Sequence, residues 1–206
     1  MYVEPTIHTV NSMTGSLSNS TGRYQKKISD LYGIYAHKIM FARMCADDPD
    51  RIVYEVCEVR PQAESGDLIF GTTHMEPGKV GDEFFVTRGH IHARANRPET
   101  YYGESGNGLM LLESPRGDIR IMEVKPKALI YVPPMWIHRS VNVGNTPLVM
   151  SFCYPVDSGQ DYEIIAQSGG MAVRIVADGS GWKAIDNTDY EPRTEEQIEA
   201  IHATRD

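Results

Sequence analysis

Alternation of apolar and polar residues dominates the middle of the chain. Ile52–Val59, reading IVYEVCEV, sets the rhythm, and its β-branched and aromatic residues suit a half-buried strand. The same texture recurs at Leu68–Glu76, Glu83–Arg88, Glu99–Gly103, Gly108–Glu113, Asp118–Val124, Leu129–Val132, His138–Val143 and Leu148–Tyr154. Turn signals separate these runs, among them PGKVG at 77–81, ESGNG at 104–108, SPRGD at 114–118, PP at 133–134 and GNTP at 144–147. Nine short strands so spaced predict an all-β sandwich or barrel. Met171–Ala177 and Trp182–Ile185, around DGSG, read as one more hairpin.

The flanks differ. Residues 1–25 are rich in Ser, Thr, Asn and Gly and read as a loosely structured lead-in. Lys26–Met44 carries apolar residues at mixed spacing and predicts a short helix broken at Gly33. At the other end Thr194 and Gln197 fit a capping box, and Ile198 and Ile201 follow on one face, which predicts a C-terminal helix. The expected organisation is therefore a lead-in over 1–50 that packs on a barrel over 51–190, then a helical extension over 191–206.

Composition narrows the possible partners. The 206 residues carry a formal net charge of −8, which argues against a general nucleic-acid or anionic-membrane binder. It leaves room for one small anion site. Three cysteines (Cys45, Cys57, Cys153) at unpatterned spacing suit buried thiols in a reducing compartment. MYVEPTIHTV lacks a basic-then-apolar leader, and the longest apolar runs, such as Ala128–Val132, are far below the ~18 residues that span a bilayer. A soluble cytoplasmic protein is expected.

The histidines then supply a candidate chemistry. His8, His37, His74 and His202 are scattered and read as surface or hydrogen-bonded core residues. His90 and His92 stand two apart, so on an extended chain both imidazoles face the same side. The turn over Ala93–Pro98 lets Glu99 begin the return strand on that side, and His138 can add a third imidazole. Three nitrogens and one carboxylate suit a first-row divalent ion, Fe2+, Mn2+, Ni2+ or Zn2+, with positions left for water or substrate.

These residues carry a resemblance. His90, His92, Glu99 and Gly106, with Pro133, His138 and Asn142, resemble the two metal-binding motifs of the cupin superfamily, a double-stranded β-helix or jelly-roll barrel. Six residues between His92 and Glu99 exceed the usual cupin spacing, and PPMWIH lacks the glycine usual before the second histidine. The longer spacing, with PGKVGDEFFVTRGHIHARANRPETYYGESGNG, YVPPMWIHRSVNVG and YPVDSGQDYEIIAQSGG, is similar to the cupin-type phosphoglucose isomerases.

The resemblance implies a cupin barrel with short peripheral helices, assembled as a homodimer around one divalent ion per subunit, Fe2+ foremost. It implies interconversion of glucose 6-phosphate and fructose 6-phosphate, in glycolysis and gluconeogenesis, through an enediolate with direct hydride shift as the other route. Glu99 takes the double role of metal ligand and base, with Tyr154 beside it as a second catalytic group. Tyr54, Thr73, Thr87 and Gly89, with Tyr154 and Tyr162, match substrate and phosphate positions; Lys79 and Arg88 are candidate charge partners. Gln160 stands where some members carry a histidine, and an amide cannot shuttle a proton near neutral pH. Two other readings share the ligand set: an Fe(II) cupin dioxygenase and a non-catalytic sugar-binding cupin. Phe84, Phe85, Tyr101 and Tyr102 either support the dimer or fill the barrel.

Overall fold

A computed structural model describes residues 4–61 and 66–204. The lead-in's residues 1–3 and the extension's residues 205–206 lie outside it. The strands are β1 (Gly22–Lys27), β2 (Ile52–Val59), β3 (Leu68–Met75), β4 (Lys79–Val80), β5 (Glu83–Phe84), β6 (Glu99–Ser105) and β7 (Gly108–Glu113). They continue as β8 (Ile119–Val124), β9 (Leu129–Val132), β10 (Ile137–Asn142), β11 (Leu148–Pro155), β12 (Val173–Asp178) and β13 (Gly181–Asp186). Three short helices accompany them: α1 (Lys38–Asp47), α2 (Glu163–Gln167) and α3 (Glu195–Ala203).

Three antiparallel sheets build an all-β barrel. The large one has the order β1-β2-β3-β11-β6-β9, and β10-β7-β8 and β13-β12-β5-β4 close the other side. Residues of both walls, among them Ile69, Met75, Leu109, Met110, Leu111, Ile137, Leu148 and Met150, are fully buried. Non-consecutive neighbours such as β3 and β11 put residues far apart in the chain side by side, for example Thr73 opposite Met150.

Three expectations change. The end of the lead-in is a strand, because β1 pairs with β2 from Gly22 to Lys27 and satisfies an edge that would otherwise stay open. The helix expected over Lys26–Met44 is confined to α1; a 3-10 turn over Ile28–Leu31 and Gly33 at φ +81° precede it, and His37 caps its start by accepting from Met40 N–H. The strand expected over Glu83–Arg88 is divided. Glu83 pairs with Val176 of β12, then Val86 bridges Val141 and His90 bridges His138, so the chain crosses from one sheet to another along its length. The C-terminal helix forms as expected, with Thr194 and Gln197 capping reciprocally.

Candidate metal centre and substrate cavity

The crossing segment builds the site. His90 and His138 are directly bridged, each N–H donating to the other's carbonyl, at 3.1 and 2.9 Å. Their rings therefore stand side by side, with centroids 4.5 Å apart. His92 follows on the same side, and Glu99 opens β6 from the facing wall, where it pairs with Val132. All four side chains are buried. Glu99 Oε2 lies 3.0 Å from His138 Nε2, 3.2 Å from His92 Nε2 and 3.9 Å from His90 Nε2. Ligands each about 2.0–2.2 Å from a common ion lie within ~4.4 Å of one another; the Glu99–imidazole distances meet that limit, the ligand atoms of His90, Glu99 and His138 fall within reach of one ion, and His92 joins this trio through Glu99.

The hydrogen bonds behind the rings decide which nitrogen faces inward. His92 Nδ1 is 2.7 Å from the carbonyl of Arg97, and His138 Nδ1 is 3.1 Å from that of Trp136. A carbonyl only accepts, so each Nδ1 carries a proton and each ring turns its Nε2, the nitrogen left to ligate, toward Glu99. Lone pairs and a carboxylate facing each other repel unless a cation lies between them. His90 Nε2 and His92 Nε2 are buried without a hydrogen-bond partner, and such orphaned acceptors fit a divalent ion.

Protonation agrees with that role. Burial, reinforced by neighbouring His138, lowers the His90 pKa well below the usual imidazole value and keeps the ring neutral. A neutral imidazole and an ionised carboxylate are the forms in which such groups bind metal.

Above the ligands opens a cavity of about 550 Å3, its mouth included, and every substrate position expected from the resemblance lines it: Tyr54, Thr73, Thr87, Gly89, Tyr154 and Tyr162. Strands β2 and β3 supply Tyr54 and Thr73, the crossing segment Thr87 and Gly89, and β11 Tyr154. Burial pushes the Tyr54 hydroxyl up to about 12 and raises those of Tyr154 and Tyr162, so all three remain neutral O–H groups. Gly89 has φ +74°, and a Cβ there would stand 2.8 Å from Ile165 Cδ1 and 2.9 Å from Arg139 Cβ. Only glycine lets the backbone lie against this wall.

Other assignments shift. Gln160 lines the cavity and accepts from the Tyr162 hydroxyl, so it orients that tyrosine. Arg88 stacks over the Tyr162 ring at 4.7 Å and bonds Glu163 at 3.2 Å. Lys79 lies over Phe84 at 5.6 Å and does not line the cavity. Phe84, Phe85 and Tyr101 are buried, leaving Tyr102 as the exposed member of that aromatic group. Arg139, Ser140, Glu58 and Phe152 also line the cavity and were not singled out from the sequence; an HxH…E…H pattern marks ligands but carries no signal for walls contributed by other strands.

Comparison with known proteins gives one consistent answer. The family profile described as "Glucose-6-phosphate isomerase (GPI)" matches residues 25–193. A glucose-6-phosphate isomerase of Sinorhizobium medicae is 56% identical over 200 residues, covering 97% of this chain and 94% of the relative. One from Thermococcus gammatolerans is 41% identical over 165 residues, covering 80% and 86%. Among solved structures, an oxalate oxidase in complex with the substrate analogue glycolate aligns at a TM-score of 0.45 and 16% identity, over 53% of this chain and 55% of that one.

Proposed function

The chain belongs to the glucose-6-phosphate isomerase family, and from that premise we infer that it is an enzyme interconverting glucose 6-phosphate and fructose 6-phosphate. His90, His92, Glu99 and His138 would hold one divalent ion, with Fe2+ first among Fe2+, Mn2+, Ni2+ and Zn2+. The observation that carries the metal-dependent form of this reading is the convergence of imidazole nitrogens on Glu99 Oε2 beneath a wall of hydroxyl donors.

The isomerisation moves one hydrogen between C1 and C2 and one proton between their oxygens. A bound divalent ion supplies Lewis acidity, easing the negative charge that develops on those oxygens. Glu99, ionised at neutral pH, is the base of the proposed proton transfer through an enediol: it takes the proton from one carbon and returns it to the other. Tyr154 keeps its proton and donates a hydrogen bond to the sugar. Tyr162, oriented by Gln160, holds a hydroxyl further along the chain. Tyr54, Thr73, Thr87 and the Gly89 N–H serve the phosphate as neutral donors. This wet lining favours a sugar phosphate over the apolar substrate a dioxygenase would need.

A cytoplasmic homodimer completes the reading. No helix among the described residues is long and apolar enough to cross a membrane. The acidic surface suits a small-molecule enzyme, with no nucleic-acid or membrane partner. Edge strand β9, with Leu129 71% and Tyr131 56% exposed, supports pairing with a second copy. The deciding experiment strips the protein with chelator and restores single metals. Turnover of glucose 6-phosphate should return with at least one of Fe2+, Mn2+, Ni2+, Co2+ or Zn2+; silence with all five overturns the reading.

A further inference from the structure

We propose that Arg139 is the charged group that selects the substrate's phosphate, a specificity-determining residue for the isomerisation. The inference rests on reading the cavity as a sugar-phosphate site, and it begins from an imbalance of charge. Among the described residues lining the cavity, Glu58 and Glu99 carry carboxylates, and Arg139 is the one arginine or lysine. A dianionic phosphate in that space needs a cation that is not already spent on the metal ligands.

Arg139 follows His138 on β10 and is only 6% exposed. Its Nη2 donates to the Arg88 carbonyl at 2.6 Å, which anchors the guanidinium against the crossing segment. Its Nε has no partner although it is buried, and a Cβ built on Gly89 would lie 3.0 Å from it. The guanidinium thus packs where Gly89 brings the backbone to the wall, beside Thr87, whose hydroxyl accepts from Ser140 N–H at 3.0 Å.

A purely structural arginine at this depth would be paired. Glu83 is the carboxylate that acts on Arg139, but its oxygens are engaged elsewhere: Oε1 with Arg174 Nη1 and Oε2 with Ala36 N–H, both at 3.0 Å. A guanidinium does not shed its proton in a protein, and a buried one without a counter-charge is costly. An anionic ligand removes that cost, and the planar fork suits phosphate oxygens. Other nearby cations are committed, Arg88 to Tyr162 and Glu163, Arg60 to Glu58, and Lys79 to the face of Phe84.

The test compares wild type, Arg139→Gln and Arg139→Lys, each loaded with metal, by titration with inorganic phosphate and by fructose 6-phosphate kinetics. A charge-assisted contact of ordinary strength predicts that Arg139→Gln weakens phosphate binding and raises KM by roughly 10- to 100-fold. Metal content and melting temperature should stay near wild type, and the lysine variant should recover part of the loss. Phosphate affinity unchanged in Arg139→Gln overturns the proposal, as does a parallel loss of metal and kcat with KM intact. Where the variants do not fold, the wild-type Nε–H NMR resonance of Arg139 decides: it should shift on phosphate addition, and a static signal overturns the idea. Phosphate titration does not require turnover. A wild type that binds phosphate through Arg139 but never isomerises refutes the function alone; one that isomerises without using Arg139 refutes this proposal alone.

Discussion

Glu99 is the residue on which the proposed ligand and base roles meet. Glu99→Gln keeps the size of the side chain and removes the charge that accepts the proton. Loss of a general base costs about 10²- to 10⁴-fold in rate, so kcat should fall by that order while the inhibition constant of a phosphate analogue changes little. Steady-state kinetics with and without the analogue measure both, and equal losses would mark Glu99 as a ligand only. Gly89 makes a second residue-scale prediction. Alanine there meets Ile165 Cδ1 and the Arg139 side chain and forces φ +74° on an L residue, so Gly89→Ala should raise KM for the sugar phosphate more than it lowers metal content. The candidate ligands were legible in the chain, because two histidines two apart, then a glutamate and a later histidine, form a local and chemically distinctive pattern. Arg139 was not, since an arginine beside a ligand looks the same whether it faces solvent or a cavity.

At the scale of elements, the turn between His92 and Glu99 is held from outside. Asp157, just beyond β11, receives Arg97 Nε at 2.9 Å, Arg97 Nη2 at 2.8 Å and Arg94 Nη1 at 2.6 Å. The Arg97 carbonyl in turn holds His92 Nδ1, so a loop clasp positions a ring nitrogen. The Arg97 hydrogen bond holds the Asp157 carboxyl down at about 2, against ~3.9 for an unperturbed aspartate. A depressed pKa stabilises the fold above the unfolded value and loses that contribution as pH falls toward the folded one. The clasp is thus complete above about pH 4 and released on approach to pH 2. Asp157→Ala should weaken metal binding by about 10- to 100-fold, as loss of an outer support does, and flatten this acid limb; metal titration and unfolding across pH report both. Alternation revealed most strands because period two is a local signal. It missed β1, β4 and α2, the first in a polar stretch whose pairing with β2 supplies the order, the second two residues inside the PGKVG run read as a turn, the third only five residues long.

Across the whole molecule, the C-terminal extension is tied to the barrel through one buried ion pair. Arg193 Nη1 meets Glu113 Oε1 at 2.6 Å, and Glu113 Oε2 accepts from Ala172 N–H at 2.7 Å. Both side chains are almost wholly enclosed. Arg193→Met leaves a buried carboxylate without its cation and should cost about 3–5 kcal/mol in denaturant unfolding; replacing Glu113 by Gln as well should recover part of it. The proposed homodimer is a property of the same scale: Tyr131→Lys on the exposed β9 edge should yield monomers in light scattering if that edge is the interface. The order of polar and apolar residues was enough to determine most strands and an all-β class, and the spacing of His90, His92, Glu99 and His138 to mark them as candidate metal ligands. Each of those depends on near neighbours or on side-chain chemistry alone. Tertiary structure decided the rest: which strand Glu83–His90 pairs with, what supports His92, where the extension docks and that Arg139 is buried unpaired at the cavity. Those facts arise from pairings between distant segments, and the energies that select them belong to the closed barrel.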